Sequence, residues 1–95
     1  MLQKQHIEEL RSMFHLLGDI SRLQIILACM EQPQQVSNLV EILKISQPLV
    51  SHHLRLLKDA RLLKADKQGR NVFYTLSDEH IRCVLEDMVE HVQHD

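Results

Sequence analysis

The sequence predicts a mainly helical domain with one small β-hairpin, in the order α-α-α-α-β-β-α. Three observations predict it. Apolar residues recur at three- and four-residue steps through most of the chain, the pattern of helices with one buried face. One stretch, "LLKADKQGRNVFYTL", abandons that period and reads as two extended runs around a glycine. The connections are short, with no repeat, linker or low-complexity stretch between them. A chain of 95 residues fits one domain, 1–95. A domain this small buries only about 60% of its unfolded surface, so a partner subunit would help its stability. With 3% aromatic residues and no tryptophan, Leu, Ile and Val must supply the core.

The first helix runs from near Gln3 to Leu17 and carries Ile7, Leu10, Phe14 and Leu17 on one face. Gly18-Asp19 breaks it. Asp19 or Ser21 caps the next helix, which passes through Leu23, Ile26, Leu27 and Met30. Glu31 to Gln35 is a polar connector containing Pro33, and Ser37 to Lys44 reads as a short helix with Leu39, Val40, Ile42 and Leu43. Ile45-Ser46 makes a tight turn. Ser46 is the expected N-cap of a helix from Gln47 to about Ala60, and Pro48 falls in its first turn, where a missing N–H costs little. Leu62–Ala65 and Asn71–Leu76 then form a hairpin over a polar tip containing Gly69. Ser77 is the expected cap of the final helix, with Asp78 and Glu79 complementing its N-terminal dipole.

The N-terminal residues lack the apolar stretch of a signal peptide, and no apolar run reaches the ~18 residues of a membrane span. Two lone cysteines, Cys29 and Cys83, suit a reduced compartment better than a disulfide framework. The expectation is a soluble cytoplasmic protein with no membrane partner. The net charge of −2 is unevenly spread. Between His52 and Arg70, six cations (Arg55, Lys58, Arg61, Lys64, Lys67, Arg70) face Asp59 and Asp66, a local +4 that leaves −6 elsewhere. Solvated helix faces collect such cations, but a basic island in an acidic protein is also a phosphate footprint.

The two short helices joined at Ile45-Ser46 form a helix-turn-helix pattern, whose second helix lies in the DNA major groove. On a wheel of that helix starting at Gln47, Val50, Leu54 and Leu57 fall between roughly 280° and 340°. Gln47, Pro48, Ser51, His52 and Arg55 occupy the arc from 0° to about 140°. That second face carries the donors and acceptors that base edges and phosphates require. An ordinary amphipathic helix would share the pattern, but the basic hairpin that follows makes it a winged helix-turn-helix. Lys67, Gln68 and Arg70 stand at the hairpin tip, within reach of flanking phosphate. The candidate contacts to double-stranded DNA are thus Ser46, Gln47, Ser51, His52, Arg55, Lys67, Gln68 and Arg70.

The segments "LGDISRLQIILAC" and "ISQPLVSHHLRLLKDARLLKADKQGRNVFYTLSDEHI", with the helical tail, resemble the ArsR/SmtB family of bacterial winged-helix repressors. The resemblance covers nearly the whole chain in order. It implies a homodimer, paired through its terminal helices, that represses transcription at an operator with dyad symmetry. It assigns base contact to Gln47, Ser51 and His52, with Arg70 in the wing. Pro48 departs from the small hydroxyl residue or alanine often found in the family, and it cannot donate a hydrogen bond.

The tail, "SDEHIRCVLEDMVEHVQHD", poses a separate question. With Asp78 at 0°, His80, His91 and His94 lie within an arc of about 60°, at one edge of the apolar face of Ile81, Val84, Leu85, Met88, Val89 and Val92. One helix cannot close a metal site from them: His80 and His91 are separated by roughly 16 Å of rise, against zinc–nitrogen bonds of about 2.0–2.1 Å. An antiparallel second copy would bring the 78/80 end of one chain to the 91/94 end of the other, giving two equal sites. Without a metal, Asp87 pairing with His91, or histidines complementing the helix dipole, account for the same residues. Asp78 sits on the wrong side of an ideal wheel, with Asp87 as its physical rival.

Many members of the resembled family sense metal through D-x-H near the start of this helix and H-x-x-H about eleven residues on. By that pattern Asp78, His80, His91 and His94 are the ligands. The family's cysteine site is disfavoured, since Ser37 to Lys44 contains no cysteine. Three imidazoles and a carboxylate suit Zn²⁺, with Co²⁺ close behind. Ni²⁺ wants more ligands, and His6 is the candidate to supply one. The expected mechanism is a metal-free dimer that holds operator DNA and releases it when metal binds, derepressing metal-efflux genes. The alternative within the fold is a thiol-based redox sensor using Cys29 and Cys83. A metal-dependent hydrolase would need an open coordination position and a general base, for which the chain shows no motif, so no enzyme is expected.

Overall fold

The structure, a computed structural model, describes residues 1–94. Its elements are α1 (Lys4–Leu17), α2 (Ile20–Glu31), α3 (Val36–Leu43), α4 (Gln47–Asp59), β1 (Leu63–Gln68), β2 (Asn71–Leu76) and α5 (Glu79–Gln93). The predicted order holds throughout. No single helix among the described residues is long and apolar enough to cross a membrane.

The caps explain where the helices start. Asp19 accepts from the Arg22 amide at 3.0 Å and opens α2, so Asp19 rather than Ser21 is the cap. Ser46 accepts from the Leu49 amide and opens α4, with Pro48 in the first turn as expected. At α5 the expected cap is displaced by one residue. Asp78, not Ser77, holds the N-cap position and accepts from the Ile81 amide at 3.0 Å. The Ser77 amide instead donates to Leu62 O, which binds the start of α5 to the end of the α4 turn.

The hairpin is longer than its apolar pattern indicates. β1 extends to Gln68, pairing Leu63 with Leu76 and Gln68 with Asn71, so only Gly69 and Arg70 form the turn. Lys67 and Gln68 therefore lie in the strand rather than in a loose tip. From Lys64 onward β1 is exposed at every position, so no alternation marks it; backbone pairing with β2 holds it. Gly69 has φ +64°, a conformation that costs an L side chain about 1–2 kcal/mol. Gln34 adds a one-residue bridge to Tyr74, with amides and carbonyls exchanged at 3.1 and 2.8 Å. Its buried side chain also donates to Ala28 O.

The core is aliphatic. Ile25, Ile26 and Cys29 of α2, Leu39 of α3, Val50, Leu54 and Leu57 of α4, and Leu62, Leu63, Leu76 and Leu85 close around one another. The three α4 residues are the set that the wheel places on one face. α1 behaves differently. It contributes no buried residue, and Ile7, Leu10 and Phe14 remain about half exposed despite their helical spacing.

Candidate nucleic-acid interface and metal-binding helix

With Val50, Leu54 and Leu57 held in the core, α4 turns the opposite face outward. Gln47, Pro48, Ser51, His52 and Arg55 are all exposed on it. Pro48, Ser51, His52 and Arg55 line a single shallow depression. Ser46 is exposed at the start, but its Oγ is engaged with the Leu49 amide. On the wing, Lys67, Gln68 and Arg70 are exposed, and Gln68 Nε2 donates to Asp66 Oδ2 at 3.2 Å. The face and the wing tip carry cations and hydrogen-bonding groups without a covering element, as a duplex-binding surface requires.

His53 is the residue that sequence reasoning missed. It is buried at 7% exposure on the inner side of α4, next to exposed His52. Its Nδ1 lies 3.4 Å from Arg22 Nη1, so the neutral ring accepts from the guanidinium. Arg22 Nε donates to Leu16 O at 2.8 Å, fixing the α1–α2 corner as well. Burial lowers the His53 pKa from its ordinary value; nearby Asp19 opposes this, while Arg22 and His52 add to it. The backbone bond from Arg22 holds Asp19 below the usual carboxylate value. The adjacent pair "HH" held the signal: one position apart on a helix, the two rings are 100° apart, so one can face solvent and the other the core.

The α5 residues fall into two separate groups. At the start, Asp78 has an extended backbone (φ −160°, ψ 176°), outside the helix, so its angle on an ideal wheel does not apply. Its Oδ1 lies 3.8 Å from His80 Nδ1, and both side chains are exposed. At the far end, His91 sits in the last turn and His94 at the C-cap, again exposed. No site among the described residues gathers three or more potential metal ligands. Asp87 is exposed between the two ends. His6 is tied to the start of α1, where its Nδ1 accepts from the Gln3 amide. One chain thus offers a carboxylate–imidazole pair and a separate imidazole pair. These donors fit a borderline cation such as Zn²⁺ in type, and either pair alone leaves a tetrahedral site half filled.

Between those ends α5 is apolar and uncovered. Val84, Met88 and Val92 are more than half exposed. With Leu10 and Phe14 of α1, Val84 and Met88 border one apolar groove. Cys29 is buried in the core, and burial pushes its thiol up to about 12, whereas Cys83 is exposed. A thiol held protonated is a poor nucleophile, so the redox alternative is not favoured.

Residues 19–65, from the α2 cap through α4 into β1, match the profile described as "Bacterial regulatory protein, arsR family". The chain belongs to the ArsR family. Over 86 residues it is 36% identical to a transcriptional repressor SmtB homolog of Synechocystis, covering 90% of this chain and 65% of that protein's length. The HTH-type transcriptional regulator NmtR of Mycobacterium tuberculosis is 32% identical over 98% of this chain and 78% of its own. The solution structure of apo-NmtR superposes with a TM-score of 0.81, covering all of this chain and 80% of the other. HlyU from Vibrio cholerae, at 24% identity, shares the fold with a TM-score of 0.85, covering 97% of this chain and 100% of the other. The SmtB homolog is a transcriptional repressor and NmtR a transcriptional regulator.

Proposed function

We propose that this ArsR-family chain is a metal-responsive transcriptional repressor. A homodimer holds double-stranded operator DNA through the α4 faces and wings of its two chains. Zn²⁺ or Co²⁺ at the C-terminal helices releases it, derepressing metal-efflux genes. The observation that carries the reading is the division of α5 into two exposed half-sets, Asp78/His80 and His91/His94, flanking an uncovered apolar stretch. In an antiparallel α5 pair the apolar stretches cover each other and each half-set meets its complement. Zn²⁺ bound there would supply a charged cross-link between one chain's carboxylate and imidazole and its partner's imidazoles.

The chain's own bonds offer a route from that end to the DNA face. Asp78 caps α5, so a change in its carboxylate contacts acts on the first turn of that helix. Its neighbour Ser77 is bonded to Leu62 O, and the Leu62 amide is bonded to Leu57 O near the end of α4. A displaced α5 cap therefore pulls on the C-terminal end of the recognition helix through two backbone hydrogen bonds. Linkage requires DNA to weaken metal binding by the same factor.

Anisotropy of a labelled duplex, selected from a random pool by the metal-free protein, tests the reading. Titrations with and without Zn²⁺ should give weaker DNA binding with metal, one ion bound per chain, and loss of both effects in His91→Ala. Equal affinities with and without Zn²⁺ would remove the sensing claim and leave DNA binding standing.

A further inference from the structure

The start of α4 is poorly equipped to hold phosphate. Helix N-termini ordinarily bind anions through their free amides. Here Pro48 has no N–H and the Leu49 amide donates to Ser46 Oγ. Of the four amides that a helix start leaves without an intrahelical partner, those of Ser46 and Gln47 remain. The first turn presents instead the exposed pyrrolidine ring of Pro48, which walls the depression completed by Ser51, His52 and Arg55. These three follow Pro48 by three, four and seven residues, so they share its face.

The major groove offers one apolar feature to such a ring, the C5-methyl group of thymine. From this geometry we infer that Pro48 is a specificity-determining residue that reads a thymine methyl in each half-site. Ser51, His52 and Arg55 surround the ring with polar groups for the neighbouring base edges and phosphate. The inference rests on the proposal that α4 enters DNA, and it adds a base preference that no hydrogen bond at position 48 could create.

Deoxyuridine differs from thymidine only by that methyl, so it isolates the contact. Duplexes selected by the metal-free dimer are remade with one thymine per half-site replaced by deoxyuridine, position by position. One position should weaken binding about fourfold per half-site, the worth of burying one methyl group. In Pro48→Ser, with helicity checked by circular dichroism, the thymine-to-uracil ratio at that position should fall to near one. The ratio within one protein is unaffected by any general gain in phosphate binding from the restored amide.

Binding that is indifferent to every uracil substitution overturns the inference while leaving DNA binding intact. So does a penalty that persists unchanged in Pro48→Ser, which would give the methyl to another side chain. Absence of binding to any duplex at low salt would overturn this inference and the DNA reading together.

Discussion

His53 and His52 are neighbours on α4 with opposite surroundings, one buried and one exposed. The neutral ring of His53 accepts from Arg22, and burial depresses its pKa below the ordinary 6.5. The unfolded chain therefore binds this proton at higher pH than the folded chain does. His53 costs nothing above pH 6.5 and opposes folding increasingly as pH falls through and below that value. Urea unfolding at pH 7.5 and pH 5 should show stability falling on acidification, with a smaller fall in His53→Gln. An unchanged slope would remove His53 as the cause. Asp19, with its pKa below 3.8, loses its contribution only at lower pH and does not confuse that window. The cysteines divide just as sharply. Iodoacetamide on the native protein should label Cys83 and spare Cys29, with both labelled in denaturant, as read by intact mass. Asp78 was the residue least legible in sequence: helical geometry set it aside, yet as N-cap it leaves that geometry and lies beside His80.

At the level of elements, the helices were legible because apolar spacing and capping chemistry are local. Ser46-Gln47-Pro48 contains the stop, the cap and the first turn within three residues. Ser46→Ala should cost about 1 kcal/mol, since the Leu49 amide loses its acceptor. The wing was legible only in part. β1 has no alternating pattern beyond Leu63, so its extension to Gln68 depends on β2 and not on its own residues. Gly69→Ala at the turn meets no neighbouring atom, so its penalty comes from φ +64° alone. We expect it to destabilise the protein by about 1–2 kcal/mol, visible as a lower denaturation midpoint. An unaltered midpoint would mean that the turn relaxes.

At the scale of the whole molecule, the apolar faces of two helices stay uncovered. Ile7, Leu10 and Phe14 of α1 and Val84, Met88 and Val92 of α5 are regularly spaced yet exposed. Leu10, Phe14, Val84 and Met88 border one groove, and apolar surface gathered in this way marks an interaction site more often than a random scatter does. In the proposed dimer, Phe14→Glu and Met88→Glu, placing a charge in that surface, should each shift sedimentation equilibrium toward monomer. In the proposed arrangement they should also lower metal affinity steeply, because Asp78/His80 would lose their partner half-set. Dimerisation unchanged by both substitutions would place the interface elsewhere.

The sequence by itself determined the elements, their order and the outward face of α4, because each depends on neighbours within a few positions. Tertiary structure decided what those positions are worth. It buried His53 against Arg22, carried β1 on to Gln68 and left the α1 stripe uncovered. Periodicity marks a face as apolar, but burial depends on which surfaces meet, and only the folded chain shows which ones remain without a neighbour.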